Sequence, residues 1–549
     1  MTTVAAEGRS TGLLSWRAAV LLLAAGVLLA LTETRSPTII GFVNPLVDAA
    51  RLAAGLLVVG VALEVANQFW RLPWQQPSFT IALAFFCCLA AGWLGGVSWP
   101  NSGDEYSYVF LADTLLAGRL WNPAPPDQEL FASYHVLIKD GMTFSPYPVA
   151  WSAFLMPFRV LDAVWLANPL LTVLLGIALL GACRRLDVSP IVQKPTLALV
   201  LLTPFTLFLG GSVFPQTMAC ALVACIVWTQ LTDEAQPLPW RKLLTGALFG
   251  ILLLTRYDVF AIVALVYAVD RVVIRRLHAV TDGLLVMLGW LPFVACQMAY
   301  NFGVTGSLLQ LTSTWGAASI PNVPIEYAGI GVVTFATLKN LFWLGTLAQF
   351  GGLPVLVLSA IALVIKIRHR TCRFYDFLLP AAVAFYSFVP FTGGHQYGPR
   401  YWFWAWPLAV LTITSCLVDE AGNLRIFGRR VAFEGYATAC LVYAAGAFCV
   451  LLVTTHAYID ARRTVFDGPQ PESRAIVLLP NRSLKMWPWQ AGGIPAANLD
   501  FTRNDINYNA QVLYGRADVP DAVPRACRLD GREVFRWEGS GRLVRVVCP

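Results

Sequence analysis

The chain has 549 residues, of which 57% are hydrophobic and only 13% are charged, and its formal net charge is +7. A soluble domain carries about 25% charged residues, so this chain lacks the charge needed to cover a water-exposed surface. The composition therefore excludes an ordinary soluble protein and predicts a multi-span membrane protein. Its basic residues lie in short clusters between apolar runs, so the positive charge does not indicate a nucleic-acid partner.

Apolar stretches suited to crossing a bilayer recur along the chain up to residue 455. They fall near 18–32, 52–70, 78–99, 163–183, 195–211, 217–231, 243–255, 258–270, 281–299, 349–365, 375–391, 402–418 and 433–455. About thirteen membrane-spanning helices are therefore predicted, two of them short. The runs 243–255 and 258–270 flank the sequence TRYD, and a hairpin that turns within the membrane is an alternative interpretation of that pair. The first run lacks a small-residue cleavage site, so we expect it to stay as a span.

Clusters of lysine and arginine occupy every second connection between these runs. They are Arg184/Arg185/Lys194, Arg241/Lys242, Arg271/Arg275/Arg276, Lys366/Arg368/Arg370/Arg373 and Arg425/Arg429/Arg430. Because basic loops stay in the cytoplasm, the N-terminus is predicted to be cytoplasmic and the C-terminus to lie outside. The other connections hold the unusual polar sequence, which is found in 100–162, GSVFPQ, TRYD, 300–340 and TGGHQYGPRY. We therefore expect the functional site on the outer face.

The first outer connection begins with two adjacent acids, Asp104 and Glu105, in the sequence SGDEYSY. Ser102 followed three residues later by Glu105 is a capping box, which predicts that a helix starts here. The apolar residues after it form a stripe that is typical of an amphipathic helix on the membrane surface. A role in chemistry stays open beside this interpretation, because a helix N-terminus keeps Asp104 ionised and able to accept a proton or bind a cation.

The polar tail, residues 460–549, is predicted to be a small α/β domain. RAIVLLP and RLVRVVCP are typical of strands, and REVFRWEGSGRLVRVV is typical of a hairpin that turns at Gly539–Gly541. Cys527 and Cys548 both lie in this tail and are a candidate disulfide if the tail is outside the cytoplasm. The predicted fold is an all-α membrane domain, residues 1–459, with the first outer loop at 97–162, followed by the tail domain at 460–549.

From about residue 100 onward, several segments resemble one known family. DEYSYVFLADTLLAGRLWNP, FASYHVL and SPYPVAW are similar to the first outer loop of GT-C superfamily glycosyltransferases, in the bacterial branch related to protein mannosyltransferases and lipid A aminoarabinose transferase. Further matching segments follow in the same order: GALFGILLLTRYD, AYNFGVTGS, GGHQYGPRYWFWAWP, NDINYNAQVLYGR and REVFRW. The resemblance implies transfer of a sugar from a polyprenyl-phosphate donor to an acceptor hydroxyl, with inversion, on the outer face of a bacterial inner membrane.

The resemblance also implies roles for individual residues. Asp104 is the candidate base that takes the proton from the acceptor hydroxyl, and Glu105 is the candidate to orient it or to help bind a cation. The candidates to bind the donor phosphate are Arg256, Arg400, His395, Tyr397 and Tyr147. The candidates for further substrate contacts are His135, Lys139 and Asp258.

Structural alternatives stay open for several of these residues. Arg256 is equally suited to pair with Asp258 or to anchor a helix end at the membrane interface, and the residues around Arg400 are typical of an aromatic belt. Family members often have a lysine where this chain has Pro146. Lys139 is the candidate to replace that lysine.

The implied partners are the polyprenyl-phosphate sugar donor, the lipid bilayer and an acceptor that is a glycan, a lipid or a protein. No redox cofactor is required, and no ligand spacing indicates a metal, although a divalent cation is compatible with the acid pair. The rival hypothesis is a transporter or flippase of a lipid-linked or polar substrate. A transport path needs polar groups at mid-membrane, usually in an inverted repeat, whereas the predicted span centres are almost free of charge. Convergence of Asp104, Arg256 and Arg400 on one outer cavity would favour the enzyme.

Overall fold

The computed structural model is mostly helical, with a small sheet near the C-terminus. It describes residues 16, 18–24, 76–100, 102–133, 135–275, 279–316, 353–386, 394–395, 398–426, 428–467, 470–480, 483–484, 494–495, 504–529, 531–538 and 542–548. The predicted span at 52–70 and most of the span at 18–32 lie outside these residues, as does the second half of the connection 300–340.

Helices dominate the described residues up to 467. In chain order they are α1 (Pro77–Leu94), α2 (Gly103–Leu116), α3 (Val149–Val160), α4 (Ala167–Arg185), α5 (Pro190–Leu201), α6 (Pro204–Gly211), α7 (Gln216–Ala235), α8 (Pro239–Leu253), α9 (Tyr257–Val269), α10 (Ala279–Thr305), α11 (Thr312–Gly316), α12 (Leu353–His369), α13 (Leu378–Tyr386), α14 (Trp406–Leu417) and α15 (Phe433–Asp467). Shorter 3-10 helices span Val164–Leu166, Phe374–Phe377 and Arg400–Ala405, and a π-helix spans Asp270–Arg275.

Proline sets many of the helix starts. It stands in the first turn of α1, α5, α6, α8 and α14, where its fixed φ suits the helix and its missing N–H costs nothing. Between α5 and α6, where Pro204 begins the second helix, the chain bends by 60°. The apolar run at 195–211 is therefore a bent pair of helices.

Several described helices have the length and composition of membrane spans, so this is a multi-pass membrane protein. Five are long and apolar enough to cross a bilayer, and the bent pair α5–α6 raises the number to six. Other predicted spans fall on shorter helices, such as α8 and α9, or outside the described residues. The number of about thirteen spans therefore stays a prediction.

Glycine permits a close approach between α8 and α10. A Cβ atom on Gly246 would lie 2.0 Å from the carbonyl oxygen of Val286, and one on Gly289 would lie 2.1 Å from that of Leu243. Only residues without a side chain allow backbones to pack so tightly, as is common between membrane helices. This contact fixes α8, whose C-terminal end leads into the turn at Arg256.

The segment 97–162, which is predicted to be the first outer loop and keeps that name below, folds around α2 and a three-stranded antiparallel sheet. The strands are β1 (Asn122–Pro123), β2 (Leu137–Lys139) and β3 (Met142–Phe144), in the order β1-β3-β2. As the capping pattern predicts, Ser102 precedes α2, and its hydroxyl oxygen accepts a hydrogen bond from the Glu105 amide at 3.2 Å. The short antiparallel pairs β4 (Gly394–His395) with β5 (Gly398–Pro399) and β6 (Asn423–Ile426) with β7 (Arg429–Ala432) lie later in the chain.

The prediction that α2 lies on the membrane surface is wrong, because protein covers it on nearly all sides. Nine of its residues are buried, among them Tyr106, Tyr108 and Leu111. The Tyr106 hydroxyl reaches the carbonyl oxygen of Asn504 in the tail, and Leu111 packs in a cluster with Val304 of α10. The apolar stripe therefore marks contacts with protein, which a local pattern does not distinguish from contacts with lipid.

The tail contains a four-stranded mixed sheet. Its strands are β8 (Ala475–Leu479), β11 (Val512–Arg516), β12 (Glu533–Glu538) and β13 (Arg542–Val546), in the order β11-β8-β12-β13, and α16 (Ala522–Cys527) packs on it. β8 is parallel to both neighbours, and β12 with β13 forms the predicted hairpin. The pair β9 (Ser483–Leu484) and β10 (Ile494–Pro495) is separate. Helix α15 runs to Asp467, past the predicted domain boundary at 460.

The first outer loop contributes to the core of this tail sheet. Leu130 and Phe131 pack in one cluster with Ile476 and Val534, and Phe131 is 1% exposed. The Arg516 amide donates to the Leu130 carbonyl oxygen at 2.9 Å. The loop and the tail therefore share one hydrophobic core. In the tail, a disulfide joins Cys527 to Cys548.

Replacing Phe131 by alanine is expected to lower the free energy of unfolding of this joint unit by about 3–5 kcal/mol, because it empties a buried aromatic site. The change is measured by thermal unfolding in detergent and by the rate at which protease cleaves the tail. Val547→Ala is the control, since Val547 is 89% exposed in the same domain. Equal protease resistance of Phe131→Ala and the wild type would contradict a shared core.

Candidate active site

A cavity of about 270 Å³ lies where the first outer loop meets the ends of several helices. Its charged lining residues are Asp104, Arg256, Asp258 and Arg400. The remaining lining residues are mostly aromatic or apolar: Tyr108, Pro146, Tyr147, Pro148, Phe214, Gln216, Tyr257, Ser313 and Tyr401. Small-molecule sites start at about 300 Å³, so the cavity has the size of a site for one compact group.

Asp104 lies in the first turn of α2, and three side chains contact its carboxylate. Its Oδ2 atom accepts a hydrogen bond from Arg400 Nη2 at 2.5 Å, although the two residues are 296 positions apart. Its Oδ1 atom accepts a hydrogen bond from the Tyr147 hydroxyl and lies 3.4 Å from His135 Nε2. The other imidazole nitrogen, Nδ1, is 3.1 Å from the Tyr147 hydroxyl. The four side chains thus form one connected group.

The charges around Asp104 determine its protonation state. Burial raises the pKa of its carboxyl group, but the Arg400 guanidinium, His135 and the Tyr147 hydroxyl together hold that pKa well below its usual value. Burial lowers the pKa of His135, and this effect outweighs the attraction of Asp104. Asp104 is therefore a carboxylate and His135 a neutral imidazole at neutral pH.

Arg400 begins the 3-10 helix Arg400–Ala405 and has hydrogen-bonding capacity left over. Its Nη2 atom contacts Asp104, whereas Nε and Nη1 are buried without a hydrogen-bond partner among the described residues. The guanidinium carbon lies 4.4 Å from the ring centre of Phe214. Buried N–H groups without partners are costly, so this side chain is suited to receive an anion.

Arg256 and Asp258 form the pair that the sequence left open, and both line the cavity. Arg256 Nε and Nη2 donate to the two carboxylate oxygens of Asp258 at 2.9 and 2.5 Å. The Tyr386 hydroxyl donates to the same carboxylate at 2.8 Å. The Arg256 guanidinium carbon is 5.0 Å from the ring centre of Tyr401, and that of Arg400 is 5.7 Å from it. Tyr401 therefore contacts both guanidinium groups.

His135 contacts Asp104 without lining the cavity, and two further candidate residues, Glu105 and Lys139, also lie away from the lining. Glu105 is fully buried, where its carboxylate accepts hydrogen bonds from the Ser102 hydroxyl and from the Val213 amide, both at 3.1 Å. Lys139 donates to the Trp315 carbonyl oxygen at 3.0 Å and lies 4.5 Å from that indole ring. Neither is among the described residues that line the cavity. Glu105 thus ties α2 to the loop before α7, and its position does not support direct contact with substrate.

His395 and Tyr397 cannot be placed with the others. The backbone of His395 belongs to β4, which pairs with β5 beside Arg400, but its side chain and the whole of Tyr397 lie outside the described residues. Their role at the donor phosphate stays a prediction. Among the residues with described side chains, no group of three or more His, Cys, Asp and Glu is placed to hold a metal ion.

Phe214 and Gln216 line the cavity, although sequence reasoning gave them no role. The sequence GSVFPQ predicts only a polar connection. Gln216 directly follows Pro215 at the start of α7, and a polar residue at a helix start is the one sequence signal for its place in the site.

No family model matches this sequence, and no curated protein sequence matches it. Among solved structures, it is similar to ArnT from Cupriavidus metallidurans bound to undecaprenyl phosphate, with a TM-score of 0.50 and 14% identity over 84% of this chain and 92% of that chain. It also matches the oligosaccharyltransferase AglB from Archaeoglobus fulgidus in complex with an inhibitory peptide and a dolichol-phosphate, with a TM-score of 0.46 and 10% identity over 84% of this chain and 69% of that chain. The likeness to ArnT confirms the fold that the sequence motifs predicted. The chain therefore shares its overall fold with this ArnT structure.

Proposed function

We propose that this protein transfers a sugar from a polyprenyl-phosphate donor to an acceptor hydroxyl on the outer side of a bacterial inner membrane. The observation that carries the proposal is the meeting of one carboxylate, Asp104, and two guanidinium groups, Arg256 and Arg400, in one cavity. A base for the nucleophile and cations for a phosphate leaving group are the two requirements of this reaction. ArnT, which shares the fold, was solved with undecaprenyl phosphate, and this supports the class of donor.

The reaction is a single displacement with inversion. The acceptor oxygen attacks the anomeric carbon, the bond from that carbon to the phosphate oxygen breaks, and the electron pair leaves with the polyprenyl phosphate. Asp104 takes the hydroxyl proton and later returns it to water. Because its pKa is low, Asp104 accepts the proton late, when the new bond has already made the hydroxyl acidic.

Arg400 contributes both to holding the base and to stabilising the phosphate leaving group. Its Nη2 atom holds the Asp104 carboxylate, while Nε and Nη1 have no partner among the described residues and are available to phosphate oxygens. One guanidinium therefore fixes the base and stabilises the charge that develops on the leaving group. Arg256 is the second cation, held by Asp258 and Tyr386.

Tyr147 and His135 are placed to support Asp104, the proposed base. Both contact Asp104 Oδ1, so they orient the carboxylate and leave the acceptor proton to approach from the cavity side. Glu105 acts at a distance through its bond to Val213, which holds the loop carrying Phe214 and Gln216. The tail domain, which shares a core with the first outer loop, completes the wall behind α2.

The proposal is tested with purified protein in liposomes, radiolabelled undecaprenyl-phosphate sugars and a detergent extract of bacterial cell envelope as acceptor. We expect label to leave the polyprenyl phosphate and to appear in a glycan, lipid or protein fraction only when the protein is present. Movement of intact donor across the bilayer without any transfer would instead favour a flippase. Chromatography shows whether the label has left the polyprenyl phosphate, and this distinguishes transfer from movement of intact donor.

A further inference from the structure

Gln216 is a polar residue of the cavity wall that the proposed reaction does not use. It is the first residue of α7, is 5% exposed and lines the same cavity as Asp104 and Arg400. Its side-chain carbonyl oxygen is buried and has no hydrogen-bond partner among the described residues. Buried polar atoms in folded proteins are nearly always paired, so an unpaired acceptor on a residue that lines a cavity is suited to receive a hydrogen bond from a ligand.

The chemistry of the ligand limits which group can supply that donor. A carbonyl oxygen needs an N–H or O–H group, whereas an ionised phosphate diester and a polyprenyl chain offer only acceptors or apolar surface. The acceptor hydroxyl gives its hydrogen to Asp104 in the proposed reaction. In a polyprenyl-phosphate sugar the remaining donors are the hydroxyl groups of the sugar.

The segment that carries Gln216 is held in place from several sides. The Trp151 indole donates to the Val213 carbonyl oxygen at 2.9 Å, and the Asn168 amide donates to the Phe214 carbonyl oxygen at 2.8 Å. Glu105 accepts from the Val213 amide at 3.1 Å. Because the backbone is held by these bonds, only the side-chain torsions of Gln216 are left to aim its amide. A group on such a rigid support discriminates between hydroxyl positions.

We infer that Gln216 accepts a hydrogen bond from one hydroxyl group of the transferred sugar and thereby helps to select the sugar. The inference deepens the proposed function and rests on it. Gln216 does not touch the bonds that form or break, so it is a specificity-determining residue. Its loss affects recognition of one ring position, and the base and the phosphate site stay intact.

The test compares Gln216→Met with the wild type on a panel of farnesyl-phosphate sugars carrying glucose, galactose, mannose, xylose or arabinose. The sugar that the wild type uses best is then supplied as its monodeoxy analogues. For the wild type, we expect kcat/KM to fall about 10-fold when one particular hydroxyl is replaced by hydrogen. Gln216→Met should lose about 10-fold with the parent sugar and nothing further with that deoxy analogue. Such non-additivity is the signature of a direct contact.

Gln230→Met is the matched control, because Gln230 is buried on the same helix but bonds to the Tyr267 hydroxyl at 3.0 Å. It should keep the wild-type response to every deoxy analogue. Gln216→Asn, which keeps the amide but shortens the side chain, is the second variant if Gln216→Met does not fold. The inference is overturned if a folded Gln216 variant responds to all deoxy analogues as the wild type does. Failure of the wild type to transfer any sugar is a different result, which overturns the proposed function and the inference together.

Discussion

Replacing Asp104 by asparagine is expected to lower kcat for sugar transfer by about 10²–10⁴-fold, because it removes the general base. Asparagine has nearly the same shape and still accepts a hydrogen bond, but it cannot take the hydroxyl proton. It also releases Arg400 from its ion pair, so that the guanidinium stays available to the donor phosphate. We therefore expect KM for the donor to stay near the wild-type value while kcat is lost.

The measurement is the initial rate of label transfer over a range of donor concentrations. Asp113→Asn is the matched control, because Asp113 lies on the same helix in a bidentate pair with Arg159, with both distances 2.8 Å. It is not among the described residues that line the cavity, so its rate should stay within a few-fold of the wild type. Equal kcat for Asp104→Asn and the wild type would remove Asp104 from the chemistry, provided that both proteins unfold at similar temperatures.

Replacing Arg400 by glutamine is expected to lower kcat/KM by at least about 10²–10³-fold, the typical loss when one preorganised donor to developing negative charge is removed. Glutamine offers a single amide in place of the planar fork of N–H groups. The loss should include a weaker interaction with the donor, because Arg400 Nε and Nη1 are the buried donors that phosphate would fill. The measurement is kcat/KM with the labelled donor.

The same variant should change the dependence of transfer on pH. A carboxylate base loses its ionised form as pH falls through its pKa. Among its neighbours, Arg400 lowers the pKa of Asp104 most. Without Arg400, burial raises that pKa, so the acidic limb of the rate profile should move to higher pH. The wild type should keep its rate to pH values below the usual pKa of an aspartate. Arg159→Gln is the control, and an unshifted acidic limb in Arg400→Gln would separate Arg400 from the base.

The sequence was sufficient for the class of fold and for most of the charged groups of the site. Composition required a membrane protein, the capping pattern placed the start of α2, and the alternating residues of the tail placed its hairpin. The resemblance pointed to Asp104, Arg256 and Arg400, which line one cavity in the structure. What these features share is that a short stretch of chain is enough to define each of them.

The rest depended on contacts between distant segments. The apolar stripe of α2 was assigned to lipid because nothing local reveals that the tail and α10 cover it. Glu105 was grouped with its neighbour Asp104, but successive residues on a helix point about 100° apart. It therefore faces the Val213 amide and not the cavity. Gln216 belongs to no chemical motif, and only the meeting of distant segments at one cavity shows where it lies.

The docking of Leu130 and Phe131 into the tail sheet has a consequence for how the protein is made. The ribosome synthesises the loop that carries Asp104 early, and it synthesises the strands that enclose Leu130 and Phe131 last. Tyr106 and Asn504, which form a hydrogen bond between the loop and the tail, are 398 positions apart. During translation the loop therefore exists for some time without the tail sheet on which it packs. We therefore expect a chain that ends before Glu533–Glu538 to leave Leu130 and Phe131 without part of the hydrophobic core that they share with the tail.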